Sequence, residues 1–255
     1  MKKTILVLIT FVLVLIVAGC GFWLTHYFID AKEQRTAFEN LSQEYVLEKM
    51  PVPELITSSE NSSSPENPSE SAEAVSLTTA PPRHDLSALA AENPDCVGWI
   101  TIPDTGVDYP VMYTPDDPER YLRRDFSGAS ASHGTPFLDG RNLAQAEGQN
   151  LILYGHNMMD GSMFKPLISY LELSEKQYRH EVLAVVETST TSPFYTFTSL
   201  ADPTAASDFR ATLLKETNLD VVHQADGYLT LSTCNNGGGD SRVLVIAALA
   251  GEVTS

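Results

Sequence analysis

Two apolar runs separated by a polar, glycine-rich joint constrain this chain more than any other feature. In GYLTLSTCNNGGGDSRVLVIAAL, from Gly227 to Leu249, the stretches Tyr228 to Thr233 and Arg242 to Leu249 are dense in β-branched and aliphatic residues, whereas Asn235 to Ser241 is polar. Short runs of such residues bounded by turn formers are strands, so the segment reads as strand, loop, strand. A lone cysteine, Cys234, ends the first run and a lone arginine, Arg242, begins the second, which sets them facing each other across a loop mouth. Upstream, Leu151 to Tyr154 is another such run, and its end delivers His156 just after Gly155. Loops held by a rigid sheet are where catalytic side chains concentrate. A Cys, a His and an Arg brought together make an acyl-transfer site.

The same grammar runs through the region after Asp85. Candidate strands are Val97 to Ile102, Val107 to Met112, Thr135 to Leu138, Leu151 to Tyr154, Glu181 to Thr188, Pro193 to Thr198, Tyr228 to Thr233 and Arg242 to Leu249. Eight short strands divided by turn signals predict a mostly β fold, a closed or nearly closed barrel. Three helices accompany it. Asp85 caps one that runs through Glu92 and stops at Asn93-Pro94, and a second is expected around Ser162 to Leu171. A third follows Asp202-Pro203, with Phe209 and Leu213 on one face, and is inserted between the sixth and seventh strands.

The amino-terminal part has a different composition. Residues 1–3 are basic, and from Thr4 to Ile29 there is no Asp, Glu, Lys or Arg, enough helix to cross a hydrocarbon core of ~30 Å. With lysines before the span and mixed charges after it, the positive-inside bias puts residues 1–3 in the cytoplasm and everything after residue 29 outside. The reading is therefore a single-pass anchor over 4–29 in the cell membrane. A cleaved secretory signal shares the basic start and apolar stretch, and Val17-Ala18-Gly19-Cys20 resembles a lipoprotein processing box. The apolar run continues beyond Cys20 to Phe28, as an uncleaved span requires, and both the anchor and the lipidated form tether the rest to a membrane. Residues 30–49 form a helical extension with Phe38, Leu41 and Tyr45 on one face. Residues 50–84 are rich in Ser, Pro, Glu and Thr, a composition that does not order itself, and read as a disordered linker that sets the reach of a catalytic domain over 85–252.

Composition removes some functions. The net charge of −17, without a run of Lys or Arg beyond the anchor, argues against nucleic acid as a partner. Of the cysteines, Cys20 sits in the span, and a Cys96 to Cys234 bridge would consume the candidate nucleophile. Cys96 reads as a small structural thiol. Cys234, His156 and Asp160 lack zinc-site spacing, and Tyr113 to Asp117 with Asp125 lacks a calcium hand loop, so neither a metal nor another cofactor is expected. Other histidines, His133, His180 and His223, are weaker candidates because none directly follows an apolar strand.

A free thiol of pKa ~8.5 is only a few per cent ionised at neutral pH, so Cys234 needs a neighbour. His156 serves either by stabilising the thiolate as imidazolium or by taking the proton as imidazole. Arg242 would meet the developing oxyanion or hold the carbonyl under attack.

These residues resemble the sortases, and within them class B. The matching pieces are TLSTC at 230–234 with Arg242 eight residues after the cysteine, YGHNMMDGSMF at 154–164 and VGWITIPDTGVDYPVM at 97–112, in the family's order. One departure is visible: class B members often carry an aromatic residue two positions after the cysteine, where this chain has Asn236 followed by Gly237, Gly238 and Gly239. The resemblance implies an eight-stranded sortase barrel and a membrane-anchored cysteine transpeptidase, with Cys234 as nucleophile, His156 as acid and base and Arg242 as carbonyl stabiliser. It implies substrates that are secreted proteins with a carboxy-terminal sorting signal of the Asn-Pro-X-Thr type, passed through a thioester to a cell-wall or pilin amine. Ser232, Thr233 and Asn235, which flank the nucleophile, are candidate substrate contacts. The same three catalytic residues would serve a cysteine peptidase using water, and a non-catalytic binding module on the same barrel would survive loss of Cys234.

Overall fold

The computed structural model describes residues 2–47, 83–103, 105–156, 176–217, 219–222, 224–234 and 239–253, and the backbone of 168–173. Alternating apolar residues place the strands β1 (Cys96–Ile102), β2 (Val107–Met112), β3 (Phe137–Leu138), β4 (Asn150–Tyr154), β5 (Ile168–Leu173), β6 (Lys176–Ser189), β7 (Tyr228–Cys234) and β8 (Ser241–Glu252). They close a barrel in the order β1-β2-β3-β4-β7-β8-β6-β5, with β5 returning to β1. The narrowest contact is between β2 and β3, a single pair of Met112 opposite Phe137. Most neighbours are antiparallel, but β2 runs parallel to β3 and β4 to β7, with Leu151 opposite Leu229 and Tyr154 opposite Ser232.

The period of two divides each strand between interior and exterior. Leu151 and Leu153 of β4, Leu229 and Leu231 of β7 and Val245 of β8 join one buried cluster with Ile100 and Val111, which fills the barrel. The alternate residues face outward and are covered by helices. Over one side lies α3 (Pro203–Glu216), capped by the Asp202 carboxylate, which accepts the Thr204 N–H at 3.1 Å. Its Phe209 and Leu213 are fully buried against Tyr228, Leu244 and Ile246, at roughly 1.5–3 kcal/mol of hydrophobic stabilisation for each. Over another side lies α2 (Leu86–Glu92), capped by Asp85 through the Ala88 N–H and packed on Trp99 and Met112.

At the amino terminus, α1 (Lys2–Tyr45) is one continuous helix, and from Val7 it is long and apolar enough to cross a membrane by length and composition. Its last turns lie on the barrel. Phe38 packs on Tyr109 with ring centroids 4.9 Å apart, and Ser42 Oγ donates to Asp108 Oδ2 at 2.6 Å. The other oxygen of Asp108 accepts from Trp99 Nε1 at 2.8 Å and Thr101 Oγ1 at 2.9 Å. The chain leaves α1 and returns at the same place: Val46 bridges His84, and Leu47 N–H donates to the Arg83 carbonyl at 2.7 Å.

Two expected elements are corrected. Ile168–Leu171, expected at the end of a helix, belongs to β5, because this segment pairs with both β1 and β6 to close the barrel. The rest of that expected helix, 162–167, lies outside the described residues, as do 50–82 of the expected linker. Pro193–Thr196, expected as a strand, is a 3-10 turn: Pro193 sits in its first turn, and Phe194 is wholly buried edge-on to Phe209. The helix expected between the sixth and seventh strands is α3, between β6 and β7. Cys96 and Cys234 form no disulfide; Cys96 is buried under α2, and its Sγ–H donates to the Gly98 carbonyl at 3.6 Å.

Candidate active site

Three neighbouring strands align the residues singled out by their sequence positions. In the ladder of β7 with β8, Cys234 stands directly opposite Arg242. Directly opposed residues share a face, so both side chains are on the outer side of the barrel. Along β4, Tyr154 is opposite Ser232, and His156 follows two residues past the end of that strand. His156 just past β4, Cys234 at the end of β7 and Arg242 near the start of β8 thus gather at one end of three neighbouring strands. All three line one cleft of about 780 Å³.

Burial falls along β7 toward the cleft: Ser232 is buried, Thr233 half-buried and Cys234 exposed. Arg242 is fixed by its own Nη1, which donates to the Gly239 carbonyl at 3.0 Å and the Ser241 carbonyl at 2.9 Å. His156 is half-buried, and its Nε2–H donates to the Leu122 carbonyl at 2.7 Å. A carbonyl only accepts, so the neutral ring carries its proton on Nε2 and keeps the lone pair on Nδ1. Burial lowers the pKa of this ring; the Leu122 carbonyl works against that, and the cation of Arg123 and the nearby His133 lower it further. The net effect favours the neutral ring. Burial pushes the Cys96 thiol up to about 11, which makes it inert.

The Ser232 hydroxyl is engaged with Tyr195 Oη at 2.7 Å. Thr233 also lines the cleft, and its buried Oγ1 has no hydrogen-bond partner among the described residues. Asn235, together with Asn236, Gly237 and Gly238, lies outside the described residues. Among the described residues no three His, Cys, Asp or Glu side chains converge as a metal site would require.

Several cleft residues went unrecognised in the sequence. Tyr154 is stacked between Phe137 and Tyr195, with centroids 5.5 and 6.2 Å away, and its Oη donates to Asp139 Oδ2 at 2.9 Å. Arg141 grips the same carboxylate with two donors at 2.8 and 2.7 Å. Burial would raise the Asp139 pKa, but the Arg141 fork and the Tyr154 hydroxyl hold it below the ordinary carboxylate value. Tyr195 left a sequence signal in the aromatic cluster PFYTF at 193–197, which reads equally well as a strand. Asp139 and Arg141 left only a turn signal.

Comparison with known proteins defines the class to which this barrel and cleft belong. The Sortase domain family model matches residues 100–250. Sortase B of Listeria monocytogenes is 36% identical over 169 residues, 60% of this chain and 68% of that protein. Sortase B of Staphylococcus aureus is 27% identical over 97% of both chains. A solved structure of sortase B from B. anthracis superimposes with a TM-score of 0.62 at 25% identity, covering 87% of this chain and 98% of the other. The chain belongs to the sortase family of cysteine transpeptidases, and within it to class B.

Proposed function

We propose that this protein is a single-pass, membrane-anchored transpeptidase whose domain 85–252 lies outside the cell. In this reading 1–3 is a cytoplasmic tail, 4–29 the anchor, 30–49 a helical extension and 50–84 a linker. It cuts a carboxy-terminal sorting signal, of the Asn-Pro-X-Thr type by family resemblance, and passes the secreted protein to a cell-wall or pilin amine. The gathering of His156, Cys234 and Arg242 in one cleft, with Cys234 opposite Arg242, carries the proposal.

The Cys234 thiol gives its proton to Nδ1 of His156, the nitrogen with the free lone pair, and its sulfur attacks the scissile carbonyl carbon. Negative charge gathers on the carbonyl oxygen, where Arg242 donates; loss of one such donor typically costs about 3 kcal/mol of barrier. The C–N bond breaks, the leaving amine takes the proton from His156, and the amino-terminal fragment stays on Cys234 as a thioester. An incoming amine then attacks this carbonyl, gives a proton to His156, and the thiol is regenerated. Ser232 and Thr233 form the wall beside the nucleophile.

The test is the mass of the intact protein after brief incubation with a sorting peptide. It should rise by the amino-terminal fragment, and added amine should convert that adduct to an amide. An adduct that water alone resolves, unchanged by amine, would make the protein a peptidase, and no adduct at all would remove the covalent mechanism.

A further inference from the structure

The helix α1 meets the barrel at the end of its apolar stretch, without a flexible joint. The Tyr27 ring lies 5.8 Å from the ring of His133, Ala31 is buried, and Gln34 Oε1 accepts the His133 backbone N–H at 3.0 Å. Further along, Arg35 lies against Gly106, Phe38 packs on Tyr109, and Ser42 bonds Asp108. Contacts therefore recur from Tyr27 to Tyr45, roughly 27 Å of helix at 1.5 Å per residue. A helix held over that length is a strut.

The polar segment cannot lengthen this path. Leu47 N–H donates to Arg83 O and Asp85 N–H to Tyr45 O, both at 2.7 Å, so the stretch 48–82 begins and ends at one point on the barrel. Its reach is irrelevant to the distance between anchor and cleft, the reverse of what its composition alone suggests.

The barrel loop that meets the bilayer end of α1 also backs the cleft. Trp23 and Tyr27 lie at that end of the helix, residue types that settle at a membrane–water interface. Gly134 has φ 64° and sits against the carbonyls of Tyr121 and Leu122, where a Cβ would lie 2.3 Å from the Leu122 oxygen. That oxygen is the one that holds His156. From Tyr27 the contacts pass through His133 and Gly134 to the Leu122 carbonyl and the edge of the cleft.

We propose that the loop Ala129–Gly134 and the first docked turns of α1 form a lipid-contacting surface, by which the barrel rests on phospholipid headgroups with its cleft at a fixed height above them. This rests on the reading of α1 as a membrane span. A fluorophore on Ser130→Cys, with Cys20 and Cys234 replaced by alanine, reports the contact in vesicles of phosphatidylcholine and phosphatidylglycerol carrying a headgroup nitroxide. Strong quenching is expected. It should be unchanged when 48–82 is replaced by Asn-Gly, a turn that closes a two-residue hairpin between the paired strands. It should fall severalfold when a Gly-Ser segment is inserted between Asp30 and Ala31. Quenching that is absent in a chain that floats with the vesicles, or that drops when 48–82 is removed, would overturn the surface and the strut. A chain that fails to float would overturn the membrane reading, and the proposal with it.

Discussion

Burial, and after it the Arg123 cation, lower the pKa of His156 against the opposing effect of the Leu122 carbonyl, to which its Nε2–H donates. A lowered pKa keeps the ring in its neutral, proton-accepting form as the pH falls. The acid limb of kcat/KM for acylation is therefore expected below pH 6.5, and Arg123→Gln should move it upward by removing a cation that lowers the pKa. A limb at or above 6.5 in the unaltered protein would contradict this. At Cys234 the expectation is categorical: Cys234→Ala loses both peptide cleavage and the covalent adduct, whereas Cys96→Ala, altering only a buried thiol, stays within a few-fold. Arg242→Lys keeps the charge but not the planar fork of donors, so the acylation rate should fall nearly as far as in Arg242→Ala. Lysine restoring near-normal acylation would assign Arg242 a general field at Cys234 instead of a directed bond. That His156, Cys234 and Arg242 lie near strand ends was legible because each adjoins an apolar run. Tyr195 was not, since nothing in PFYTF distinguishes a strand from a turn whose tyrosine reaches a hydroxyl on β7.

At the scale of elements, a pair of buried amides fastens the turn that carries Tyr195. Asn150 is fully buried on β4; its Nδ2 donates to the Phe197 carbonyl at 2.9 Å, and its Oδ1 accepts from Thr230 Oγ1 at 2.7 Å. Asn142 Nδ2 donates to the carbonyls of Asn150 at 2.9 Å and Thr198 at 3.1 Å. Asn150→Leu would strand the Thr230 hydroxyl and the Phe197 carbonyl without partners, at about 1–3 kcal/mol for each unsatisfied group. The expected result is a lower urea midpoint together with a KM that rises more than kcat falls, because the Tyr195 wall loosens while the three residues at the strand ends stay. Equal loss of kcat and kcat/KM would show that Asn150 acts on those residues themselves. Strand positions were readable where a short apolar run was bounded by turn signals, as at Val107–Met112. The stretch Ile168–Leu173 misled because Leu, Glu and Lys around it favour helix, and its pairing with β1 and β6 overrides that preference. Which strands lie side by side was not readable at all: alternation tells which face a residue takes, not that β4 and β7 run parallel.

For the molecule as a whole, acid should weaken the fold through a buried histidine. His180 on β6 is 1% exposed, and burial pulls its pKa down to about 4, against a smaller opposing effect of the Tyr178 backbone. The unfolded chain binds this proton near pH 6.5 and the folded chain only near 4. The associated stability is thus fully present above pH 6.5 and is lost as the pH falls toward 4, on the order of 3 kcal/mol. Urea midpoints measured between pH 7 and 4 should show this slope, and His180→Gln should flatten it; an unchanged slope would place the acid sensitivity elsewhere.

The parallel pairing of β4 with β7 also bears on when the protein becomes reactive. His156 and Cys234 are separated along the chain by β5, β6 and α3, and only closure of this pair brings them together. Contacts between segments so distant in sequence carry a large loop-closure entropy and form slowly. A chain emerging from the ribosome, or threading outward in an extended state, carries an ordinary cysteine. In the proposed mechanism its reactivity appears only with the completed barrel, so folding itself is the activating event.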